Sequence, residues 1–108
     1  ETKEKTMEHD KYITAGIQNE IPLPLIHIMW SMIEAIPPEI ERDYLQVFEI
    51  TGEVDTSTGK VVKQAIRHFQ EVPPYESHAT CQSVGIRHRK VYVIDDGPYS
   101  VMCFPEER

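Results

Sequence analysis

The chain has 108 residues, 40% of them hydrophobic and 27% charged, and it carries two cysteines. That size and mixture exclude a disordered chain and give one domain with a core large enough to stand without disulfide staples. The formal charge of −7 sits in the first half, where four Lys/Arg meet eleven Asp/Glu up to Val54, while Asp55 to Arg108 carries seven of each; so acidic a half excludes ordinary phosphate-backbone binding, which needs clustered Lys/Arg.

Residues 1-11 read as a flexible N-terminal tail and residues 12-108 as a single α+β domain. The opening "ETKEKTMEHDKY" is too polar for a signal peptide. Two thiols without such a signal suit a reducing cytosol. The longest apolar run, "IPLPLIHIMW", is too short and too proline-broken to span a bilayer. The expected compartment is therefore the cytoplasm.

"KYITAGI", Lys11 to Ile17, reads as a short β-rich run. A helix is expected over Pro24–Ile36, because prolines at 22 and 24 fit only a helix start and Pro37–Pro38 stop it. His27, Ser31 and Glu34 form its one narrow polar stripe. The remaining surface is more apolar than a normal amphipathic helix, so it requires cover on more than one side. Asp43–Val54 and Lys60–Val72 then read as a long hairpin around "DTSTG". Within the second arm, Val62, Ile66 and His68 share one face, and Val61, Ala65 and Phe69 the other.

"PPYESHATCQSVG" reads as irregular, its paired prolines favouring an extended, polyproline-like path. "RHRK", Arg87 to Lys90, splits across two faces if it is a strand, and guards an exposed sheet edge. "KVYVIDDGPYSVMCF" closes the chain as a second hairpin. In it Asp95 and Asp96 form a turn with Gly97 and Pro98, since consecutive side chains at a hairpin tip diverge. The expected fold is thus α+β, one apolar helix packed on a mainly antiparallel sheet of about five strands, in the order β-α-β-β-β-β.

The chemistry-bearing residues do not gather by spacing. His68 with Glu71 or Tyr75 would suit general acid–base work, but residues 68 and 71 point to opposite faces of a strand. His78, Cys81, His88 and Cys103 offer zinc-type ligands at spacings that match no finger or knuckle. No nucleophile elbow and no phosphate-cradling glycine loop occurs. No catalytic residue, metal or cofactor is assigned from the sequence.

Three stretches in order, "YITAGIQNEIPLPL…MW", "DYLQVFEI" and "QEVPPY…KVYVIDDG", together resemble a family of small cytosolic proteins of low-GC Gram-positive bacteria, domain of unknown function nine-sixty. The resemblance runs from about Tyr12 to Glu107 and departs at "DTSTGKVV" and "ESHATCQSVGIRHR". It implies a cytosolic single domain and no reaction or cofactor.

The expected function is that of a non-enzymatic protein-interaction or regulatory module, binding a protein partner or itself as a homodimer through the helix or an edge strand. Trp30, Tyr44, His68 and Tyr75 are its candidate contact residues, since aromatic side chains concentrate at contact hot spots. Two alternatives stand beside it: an acidic inhibitor that mimics nucleic acid, and a small enzyme using His68 with Glu71 or Tyr75.

Overall fold

The structure, a computed structural model, describes residues 10–108. Most of the expected tail therefore lies outside the described residues, but Asp10 and Lys11 already belong to a strand. The elements are β1 (Asp10–Ile13), α1 (Ala15–Glu20), α2 (Leu23–Glu34), β2 (Leu45–Asp55), β3 (Lys60–Gln70), β4 (Tyr75–Gln82), β5 (His88–Asp95) and β6 (Tyr99–Cys103), followed by a 3-10 turn at Pro105–Glu107. They form an α+β domain around one six-stranded sheet in the order β1-β6-β5-β2-β3-β4. Every pairing is antiparallel except β1 with β6.

Two corrections enter at the front of the chain. The run after Ile13 is helical, not β, because the Thr14 hydroxyl oxygen caps α1 by accepting from Ile17 N at 3.2 Å. Two short helices therefore replace the one expected. The second spans Leu23–Glu34, with Pro24 in its first turn where no amide hydrogen is needed. Its stripe of His27, Ser31 and Glu34 is exposed, as expected, while Leu25, Ile26, Met29, Met32 and Ile33 are buried. The chain itself supplies the wider cover, since Ile28 and Trp30 pack half-buried against the same core.

A third correction concerns "YESHATC". It forms β4, the strand at the far edge, so the sheet has six strands rather than five. Pro73 and Pro74 lie in the turn before it, not in an extended polyproline path. A fourth concerns "RHRK": most of it lies in β5, an interior strand between β6 and β2, and guards no edge. The expected hairpin is present as β2 and β3, with a register shift at Glu53/Val54 that leaves Val62 54% exposed.

Both helices lie on one face of the sheet. There Ile17, Leu25, Met29 and Ile33 meet Phe48, Ile50, Ile66, Val91, Val93, Met102 and Phe104 in a single core. Strand alternation sends the intervening side chains to the second face. Arg89 fastens the C-terminal turn on the covered side: its guanidinium lies 3.4 Å from the Phe104 ring centroid and pairs with Glu106 at 2.7 Å and Glu20 at 3.3 Å.

Candidate functional site

The covered side of the sheet does not close completely. Between the second half of α2 and the β1-β6-β5-β2 part of the sheet lies a cleft of about 370 Å³. The helix contributes Trp30, Ile33 and Glu34. Lys11, Val93, Ser100 and Gln46 come from four strands, and Arg42, Asp43 and Tyr44 from the segment leading into β2. The size is that of a small-molecule site.

Most charged groups lining this cleft are already occupied. Lys11 Nζ pairs with Glu34 at 3.1 Å and stands 5.9 Å from the Trp30 ring centroid. Asp43 accepts from Tyr44 N at 2.8 Å and from Val72 N at 3.1 Å. Asp95 accepts from Gly97 N at 2.9 Å, which also makes the Asp95–Asp96 pair the turn expected from sequence. Arg42 differs: among the described residues its guanidinium makes no hydrogen bond or ion pair.

Beside the cleft runs a buried polar chain. His68, with no exposed surface, stacks on Phe48 at 4.5 Å and 9° and meets the Tyr75 ring edge-on at 6.0 Å. Gln46 Nε2 donates to Asp43 O and to Gln70 Oε1, leaving its Oε1 to accept from His68 Nε2–H at 2.6 Å. Gln70 in turn donates to Glu41 O and Pro73 O and accepts from Asp43 N. Burial disfavours the imidazolium and pushes His68 down to about 4. Enclosure also removes His68 as a contact residue and denies a substrate access to it, and Glu71 lies exposed in the turn beyond it.

The second sheet face is built differently at its two ends. Over β1, β6, β5 and β2 it presents Tyr12, Tyr99, Val101, Tyr92, Ile94, Leu45 and Val47, the positions that alternate with the core residues. Tyr12 and Tyr99 meet edge-on at 5.6 Å and are 53% and 38% exposed. Val47 and Cys103 are buried on this side without belonging to the helix-covered core. Towards β3 and β4 the face turns charged. Arg67 bridges Glu49 and Glu76, both at 3.0 Å, while His78 reaches Glu76 at 2.8 Å and Lys90 stands 3.9 Å from Glu49. Arg67 thereby draws the Glu76 carboxyl below the usual range.

The sequence candidates therefore separate into two places. Trp30 and Tyr44 line the cleft; His68 and Tyr75 touch one another at the other end of the covered face. The residues considered for zinc are dispersed. His78 and Cys81 take opposite faces of β4, and His88 and Cys103 sit four residues apart along the register of β5. Among the described residues no three His, Cys, Asp or Glu side chains converge as a metal site. Among the described residues the paired acids are dispersed: Glu49 and Glu76 go to Arg67, Glu20 and Glu106 to Arg89, Glu34 to Lys11, and Asp55 and Asp95 close turns. Arg42, Lys11, Gln46 and Gln70 went unnoticed in the sequence. For the glutamines a signal existed, since 46, 64 and 70 share strand parity with Phe48, Ile50 and Ile66.

Residues 10–107 match the family described as Staphylococcal protein of unknown function (DUF960). No curated protein matches the chain. A crystal structure of a protein of unknown function from Enterococcus faecalis is similar in fold, with a TM-score of 0.75 at 19% identity over 100% of this chain and 98% of that one. Among the described residues no helix is long and apolar enough to cross a membrane.

Proposed function

We propose that the chain, which belongs to this family of staphylococcal proteins of unknown function, acts as a protein-interaction module without chemistry of its own. Its contact surface is the apolar half of the second sheet face. The observation that carries this reading is the group of Tyr12, Tyr99, Val101, Ile94 and Leu45 on the face that neither helix covers. Aromatic and aliphatic side chains presented together, with a charged margin at Glu49, Arg67 and Lys90, have the make-up of a contact patch. The margin matters as well: ion pairs already satisfied within the chain add little affinity and serve mainly to select a partner.

The test is site-specific photocross-linking in the host cell, with the cross-linker placed at Tyr99 or Val101, or at His27 on the exposed helix stripe. Adducts of defined mass from positions 99 and 101, suppressed by Tyr12→Asp and missing from position 27, support the reading. Sedimentation of the purified protein then tells a second copy from a different partner. Adducts from position 27 alone, or equal yields from both faces, would refute it.

A further inference from the structure

The cleft on the covered side has a built character that the contact surface does not use. We propose that it binds a small organic monocarboxylate, an acid with a single ring or a short aliphatic chain, with its carboxylate on Arg42 and its apolar body against Trp30, Ile33 and Val93.

Three observations lead there. The volume of about 370 Å³ suits a small molecule rather than a protein segment. One wall is apolar, since Trp30 and Ile33 lie three residues apart on α2 and face Val93 of β5 across the space. Arg42 is the lining cation with no partner among the described residues, whereas Lys11 is held by Glu34. A guanidinium matches a carboxylate by two parallel N–H donors, a geometry that an ammonium does not offer.

The remaining lining narrows the class. Glu34, Asp43 and Asp95 stand around the same space. Arg42 is a single cation and answers a single anionic head. With Lys11 held by Glu34, a second carboxylate or a phosphate on the ligand would lie among these acids with no cation from the described lining to meet it, so a nucleotide or a dicarboxylate is disfavoured. An apolar body with one charged end fills the cleft without leaving a charge against Trp30.

The molecule supplies its own probe. Trp30 is the single tryptophan and lines the cleft, so its fluorescence reports occupancy directly. The experiment titrates the full chain with phenylacetate, octanoate, phenylacetamide and phenyl phosphate, following Trp30 emission and the methyl resonances of Ile33 and Val93. Saturable binding of phenylacetate or octanoate, with the amide and the phosphate weaker by roughly tenfold or more, is expected. Arg42→Gln, at an exposed side chain, removes the preference for acid over amide while leaving the fold intact by circular dichroism. Shifts at Val93 and Ile33 that persist in Trp30→Phe confirm the location. No saturable response to either acid at millimolar concentration, equal binding of acid and amide, or an unchanged preference in Arg42→Gln overturns the proposal.

Discussion

Lowering the pH from 7 to 5 is expected to destabilise the protein by about 2 kcal/mol through one residue, His68. In the folded chain this ring has no exposed surface, stacks on Phe48, and gives its Nε2 hydrogen to Gln46 Oε1, whose amide nitrogen is already committed elsewhere. Burial holds it at about 4, against an ordinary 6.5. The unfolded chain therefore binds more protons than the native one between those two values. The stabilisation is complete above pH 6.5 and is lost as the pH falls towards 4. At about 1.4 kcal/mol per pH unit the full loss is about 3 kcal/mol, of which roughly 2 falls between pH 7 and 5. That interval lies above most carboxylate titrations, and comparison with a His68 variant separates His68 from the other four histidines. Urea denaturation followed by Trp30 fluorescence at pH 7, 6 and 5 measures it. His68→Gln, which keeps a donor near Gln46, is expected to be less stable at pH 7 but flat across the interval. A wild-type change below about 0.5 kcal/mol, or a variant that loses as much as wild type, refutes the reasoning.

Gln64→Leu is expected to cost about 4 kcal/mol, since the buried amide donates to Thr51 O and Ile86 O and accepts from Val84 N and Ile86 N, each bond contributing about 1 kcal/mol net. Urea midpoints give the loss, and faster exchange of the Val84 and Ile86 amides gives its location. Gly52→Ala is expected to cost more than Gly16→Ala. The added carbon at 52 meets the Ile86 carbonyl oxygen, a backbone atom, at 2.5 Å and Val61 Cγ1 at 2.7 Å, whereas at 16 it meets only side chains, the Glu107 carboxylate and the Phe104 ring at 3.3 Å, and gains helix propensity. Thermal unfolding of both variants checks the order, and a larger loss at 16 contradicts it.

The hairpin of β2 and β3, the closing hairpin and the helix were legible because each has local signals: branched and aromatic residues around "DTSTG", Asp-Asp-Gly-Pro, and paired prolines bracketing an apolar run. Two elements were not. In α1 the six residues from Ala15 to Glu20 are too few for an apolar period, and only the Thr14 cap marks them. In β4 the side chains are small or polar because an edge strand buries only one row of them: Ala79 and Cys81 go inward while Glu76, His78 and Thr80 stay exposed. The sheet order and the parallel β1–β6 pairing follow from long-range packing, which local propensity does not encode. The cleft was illegible for the same reason. Lys11, Trp30, Arg42 and Val93 are brought together from widely separated points of the chain.

The buried glutamines explain how an irregular segment presents Arg42 in a fixed place. Residues 35 to 44 contain no helix or strand, so their backbone groups need partners from outside the segment. Gln70 supplies them, donating to Glu41 O and accepting from Asp43 N, and Gln46 adds a donor to Asp43 O. The peptide groups on both sides of Arg42 are thus tied to β2 and β3, while its own side chain, at the cleft, makes no hydrogen bond or ion pair among the described residues. An apolar residue at 46 or 70 would fill the same volume and release the segment. Gln46 Oε1 in turn accepts from His68, so the neutral imidazole completes the chain that holds the guanidinium's position. Protonating His68 puts a charge into that chain, and the cost falls on the fold and on the setting of Arg42 together.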